Sequence, residues 1–217
     1  MSDFEVRNIK SLQAEGAAGS ARINRRGEVV VVPWHIQLAL DGQGYAAGAG
    51  SVTTPYTLGN TVIDLTQPEF LLRVPSGYVV IPLSIQVVFE VTGGALADVM
   101  ATVATGDPGD GTSTVADKLP TTLGKNIGST PASLARQLVT AALTLSNQTE
   151  FWRSGDPLDI DAAAGAKVVH EWSALTHPGV PVIYGPGALT VHQVCATSGT
   201  GHIQVVFAEF SASEIRS

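Results

Sequence analysis

The chain has 217 residues, 44% of them hydrophobic and only 14% charged, with a formal net charge of −7. Such a length makes one all-β domain or two small ones, and it buries roughly 70% of its unfolded surface without staples. The acidic balance excludes a generally basic nucleic-acid-binding surface, and the single Cys195 excludes an intrachain disulfide or a cysteine-based zinc finger. No apolar run reaches the roughly 18 residues of a membrane-spanning helix, and the charged start MSDFEVRNIK does not read as a secretory signal.

Residues 1–27 read as a flexible N-terminal arm. They hold Arg7, Lys10, Arg22, Arg25 and Arg26 against Asp3, Glu5 and Glu15, so the arm is weakly basic while the rest is acidic. The run EVVVVPWHIQLAL (28–40) is β-rich and interrupted by Pro33, which cannot donate to a ladder. DGQGYAAGAGS (41–51) reads as a long flexible connection, and residues 61–66 and 69–74 read as short strands before a turn at Pro75-Ser76-Gly77.

The strongest pattern follows in YVVIPLSIQVVFEV (78–91). Val79, Ile81, Leu83, Ile85, Val87, Phe89 and Val91 recur at period two, which fits a strand with one buried face and no helix. At about 3.3 Å per residue it spans roughly 40 Å, with a bend expected at Pro82. Residues 96–105 read as a strand and 106–131 as a long polar excursion. Residues 133–145 place Leu134, Leu138, Ala141 and Leu145 on one helical face, so a helix running into a strand is expected there. Residues 166–172 and 181–184 read as strands. ALTVHQVCAT (188–197) and HIQVVFAEF (202–210) flank Ser198-Gly199-Thr200-Gly201, a hairpin signature that would set His192 beside His202.

The total is about eight strands with at most one or two short helices. With 23 glycines and 12 prolines marking frequent turns, the pattern predicts an all-β fold: one antiparallel sandwich over residues 28–217, with long loops.

Motifs for chemistry are sparse. His35, His170, His177, His192 and His202 include no His-x-His pair and no His-x-Asp/Glu, the ligand spacings of cupins and of iron oxygenases. Gly42-Gln43-Gly44 opens no helix of the dinucleotide-binding kind, and Gly124-Lys125 lacks the flanks of a P-loop. No Gly-x-Ser-x-Gly elbow occurs. Carboxylates cluster as Asp107, Asp110 and Asp117, and as Asp156, Asp159 and Asp161. Oxygen-rich loops hold calcium, so Asp107, Asp110, Asp156, Asp159 and Asp161 are the metal-site candidates. Trp152 or Trp172 beside Asp156 would suit a carbohydrate platform, against the simpler reading of core anchors. No catalytic residue and no cofactor is indicated.

In its layout the chain resembles the single jelly-roll capsid and virion structural proteins of viruses, bacteriophages included. The resemblance lies in the loose arm, EVVVVPWHIQLAL, EFLLRVPSGYVVIPLSIQVVFEV and the closing VIYGPGALTVHQVCATSGTGHIQVVFAEF, and covers residues 28–211. It implies an eight-stranded sandwich that self-assembles into a virion shell. The partners would be copies of itself and other virion proteins, with no small-molecule ligand. The chain would be made in the host cytoplasm. The strongly basic arm of genome-binding capsid proteins is missing, which argues against direct genome packaging. Two other classes fit the pattern less well: a receptor- or carbohydrate-binding sandwich such as a virion spike, and a cupin-like β-barrel enzyme.

Overall fold

The computed structural model describes residues 38, 42–58, 61–91, 97–107, 112–113, 121–122, 136–138, 140–141, 145–155, 168–177, 179–195 and 199–215. The arm at 1–27, and residues 28–40 apart from Leu38, lie outside them. The strands are β1 (Gly44–Ala49), β2 (Tyr56–Leu58), β3 (Phe70–Val74), β4 (Tyr78–Val91), β5 (Asp98–Thr105), β6 (Thr112–Ser113), β7 (Thr121–Thr122), β8 (Arg136–Leu138), β9 (Thr140–Ala141), β10 (Ser146–Gly155), β11 (Val168–Ser173), β12 (Ile183–Tyr184), β13 (Gly187–Val194) and β14 (Gly199–Ser211). A four-residue helix α1 (Ala212–Ile215) follows.

Two antiparallel sheets make the body. The first runs β11-β4-β14-β1-β7, with β12 also on β4 and β2 also on β14; the second runs β10-β5-β13-β3-β8. Eight strands carry the architecture: β1, β3, β4, β5, β10, β11, β13 and β14. Counted in that order, their pairs are first with eighth, second with seventh, third with sixth and fourth with fifth. A long antiparallel hairpin rolled up so that successive pairs fall in alternate sheets gives this arrangement. It is the jelly roll, the all-β sandwich the alternation predicts.

The two inner faces interdigitate into one core. Phe70 and Leu72 of β3, Ile85, Val87 and Phe89 of β4, Leu189 and Val191 of β13, and Val205 and Phe207 of β14 are fully buried in it. Trp152 and Trp172 are buried in the same cluster, so they are core anchors and form no exposed sugar platform.

Five sequence expectations are corrected. First, residues 44–49 form strand β1, not a flexible connection. Its inward side chains are Tyr45, Ala47 and Ala49, too small to announce a strand. Gly48 is needed because a Cβ there would stand 2.5 Å from the Ile203 carbonyl oxygen. Second, residues 61–66 form a turn. Asp64 Oδ1 accepts from the Thr66 amide at 2.8 Å and the Thr66 hydroxyl at 2.7 Å, and the Gln67 amide donates to the Asp64 carbonyl. This Asx-type turn displaces a strand. Third, residues 136–138 and 140–141 are strand, not helix: β8 pairs with β3 and β9 with β6. Pairing to existing strands overrides the helical spacing.

Fourth, the alternation of β4 changes phase. Ser84 stands opposite Val206 but Pro82 opposite Phe207, so Leu83 is an extra residue, a bulge beside the proline that cannot donate. The Leu83 carbonyl accepts from the Ala174 amide instead. Ile85, Val87 and Phe89 therefore face the core with Val80, while Val79, Ile81 and Leu83 do not join that cluster. Fifth, β13 and β14 form no hairpin. β13 pairs with β3 and β5, and β14 with β1, β2 and β4. The connection crosses from one sheet to the other, so His192 and His202 belong to different sheets.

Candidate functional site

Of the acidic candidates, Asp107 is exposed and its Oδ2 takes a 2.6 Å ion pair from Arg73 Nη2 of β3. A carboxylate engaged by a guanidinium is a poor start for a cation site. Asp110, Asp117, Asp156, Asp159 and Asp161 lie outside the described residues. Among the described residues no three His, Cys, Asp or Glu side chains gather as metal ligands.

The densest polar arrangement sits on the outer face of the second sheet. All eight residues of β13 are buried, which an open sandwich face would not produce. Residues 61–67 lie across this face as a strap. His192 and Thr190 are the outward residues of β13, and Thr102 stands directly opposite Thr190 on β5. His192 Nδ1 is 3.1 Å from the Asp64 carbonyl oxygen, and its Nε2 is 3.0 Å from Thr190 Oγ1. Thr190 Oγ1 is 2.6 Å from Thr102 Oγ1, which lies 3.2 Å from Gln148 Oε1 on β10. Gln148 Nε2 donates back to the Leu65 carbonyl at 3.0 Å. The two successive carbonyls of the strap are thus held by one circuit across three strands.

Proton counting fixes its direction. A carbonyl oxygen only accepts, so His192 Nδ1 carries the hydrogen and the neutral Nε2 accepts from Thr190. The one Thr102 hydroxyl proton is then shared between Gln148 Oε1, to which it donates at 3.2 Å, and the 2.6 Å contact to Thr190 Oγ1. Burial lowers the His192 pKa from 6.5 to about 4, against the opposing pull of the Asp64 carbonyl and carboxylate. The Asp64 carboxyl is itself held below its ordinary value by its bonds from Thr66.

A threonine–imidazole–carbonyl relay resembles the orienting half of a catalytic triad. Here Thr190 and His192 are 0% and 1% exposed, so the hydroxyl is covered, and the bonds of the seam hold residues 64 and 65 to the sheet. Beyond the strap, the buried Glu69 accepts from the Gln193 amide at 2.7 Å and fastens the strap's end to β13. Cys195 is pushed up to about 11 by burial and by Glu69, the reverse of an activated thiol.

On the first sheet the outer face is polar. Glu171, Gln86 and Gln204 stand in one cross-strand row, with Gln86 Nε2 donating to Glu171 Oε1. They line a depression of about 180 Å³ with Ser84 and Ser173. His202 Nδ1 lies 3.6 Å from Glu90 Oε1 nearby. At the side where the sheets meet, β10 and β11 are joined by Ser154 Oγ to His170 Nδ1 at 2.8 Å and by the edge-on Phe151–Trp172 ring pair. The connection from β11 to β13 exposes Leu175, Val180, Val182 and Tyr184.

The sequence pattern sets His192 beside His202 and singles out none of Asp64, Thr102, Thr190 and Gln148. The only available signal was Thr190-x-His192, in phase with each other and out of phase with Leu189 and Val191. The partner strands were not readable. Among the described residues no helix is long and apolar enough to cross a membrane. The chain matches no family model, no curated protein and no solved structure.

Proposed function

We propose that this chain is a self-assembling structural protein, a single jelly-roll subunit of a viral shell of the bacteriophage kind, acting in the virion without catalysis. The observation that carries the reading is the exposed apolar set Leu175, Val180, Val182 and Tyr184 on a nested eight-strand frame. Jelly rolls serve as capsid domains, lectins and cupins, and the choice among these rests on the site, not the fold. The interior between the two sheets is packed with Phe70, Phe89, Phe207 and Trp172, all buried. The tryptophans that would stack a sugar are inside. What remains is surface, and its exposed Leu175, Val180, Val182 and Tyr184 are the kind of side chain that neighbouring subunits cover. The partners are copies of the chain and other virion proteins.

Negative-stain microscopy and light scattering on the purified protein test this. Closed particles or defined multimers are expected. A monomer at high concentration across salt and pH would overturn the reading, and a small oligomer with a hit on a glycan array would replace it with a receptor-binding one.

A further inference from the structure

The geometry points to residues 61–67 being an acid-opened strap, latched over the second sheet by the neutral Nδ1–H tautomer of His192. This goes beyond the assembly reading and does not depend on it. The latch has three parts. Asp64 and Leu65 offer consecutive carbonyls to a single circuit anchored on β13, β5 and β10. The imidazole at its centre is fully covered. Its nearest counter-charge is diverted, because the Asp64 carboxylate caps its own turn through Thr66.

The surroundings offer little else to a cation. Facing His192 on β5 is Met100. Met100 Sδ in turn receives Arg153 Nη2 of β10 at 3.3 Å. Arg153 is paired with Glu150 and lies near Asp98. The charged groups around the imidazole are therefore Asp64, Arg153, Glu150 and Asp98, and none of these side chains is hydrogen-bonded to it among the described residues. A proton on Nε2 would free the Thr102 hydroxyl for Gln148 and complete the circuit. It would also place a full charge beneath a closed strap. Burial outweighs the one gained bond, since the closed form holds the imidazole down to about 4.

The sign follows. The closed strap prefers neutral His192, so it is fully latched above the ordinary value of 6.5 and is loosened as pH falls toward 4. The open-to-closed ratio rises tenfold for each pH unit in that window, by about 300-fold overall. Opening exposes the Thr102–Thr190–His192 seam while Glu69 keeps the strap's end on β13.

Amide hydrogen exchange read by mass spectrometry, corrected for intrinsic rate at each pH, tests it on the whole chain. Protection of the Thr66 and Gln67 amides, both bonded to Asp64, is expected to fall about 100-fold or more between pH 7 and pH 4, with β4 and β14 still protected. His192→Asn keeps a donor at the Nδ1 position and cannot titrate in this range, so its strap is expected to show no such step. Unchanged protection in the parent, a step persisting in His192→Asn, or simultaneous loss in β4 and β14 would each overturn the proposal. If His192→Asn fails to fold, ¹⁵N spectroscopy of the parent decides: an Nε2–H tautomer at neutral pH, or titration near 6.5, would overturn it.

Discussion

Ile85 and Gln86 are neighbours in sequence and opposites in circumstance. Ile85 is fully buried among the core side chains, whereas Gln86 lies half-buried on the outer face, bonded to Glu171. Ile85→Ala is expected to cost about 2–5 kcal/mol, from lost transfer energy and an incompletely collapsed cavity. Gln86→Ala should stay near 0.5 kcal/mol in the isolated subunit, as exposed substitutions do. Chemical denaturation of both variants checks this, and equal destabilisation would show that both faces of β4 are load-carrying in the monomer. The alternation predicted Ile85, Val87 and Phe89 inside, as observed. It misplaced Ile81 and Leu83, which are only partly buried, and set Val79, itself fully buried, on the wrong face, because period two has no memory of an inserted residue. Pro82 was the local warning, since its missing N–H makes a break in the ladder inexpensive there.

Among the elements, β1 shows what sequence patterning cannot see. GYAAGA alternates inward and outward like any strand, yet its inward members are Tyr45 and two alanines. Its partner β14 approaches closely enough that Gly48 has no room for a methyl group. Gly48→Ala is therefore expected to destabilise by about 1–3 kcal/mol through overpacking, although alanine ordinarily suits a strand no worse than glycine. A thermal melt reads the effect; an unchanged midpoint would mean that β1 shifts freely against β14. The missed hairpin has the same origin. Strand propensity in β13 and β14 was legible from Val191, Val194, Val205 and Phe207, but a turn rich in glycine serves equally to reverse a strand or to cross about 10 Å between sheets. The seam was hidden for a related reason: Thr190 and His192 meet Thr102, Gln148 and Asp64 only once the sheet order is known.

For the molecule as a whole, the eight-strand sandwich was readable because alternating apolar residues and Gly/Pro turns leave few other architectures open. The order of those strands was not, and the order decides how the chain comes together. β14 lies between β4 and β1, so residues 78–91 and 44–49 have no common sheet until residues 199–211 arrive. All four nested pairs join distant stretches of chain, which places the fold among the slow, non-local folders. A nascent chain emerging from a ribosome therefore holds its first sheet open until β14 has been made. Removing residues 199–217 is expected to abolish the cooperative melt and the near-UV signature of packed aromatics, not merely to lower stability. A truncated chain that still melted in one sharp step would show that β1 and β4 find another partner.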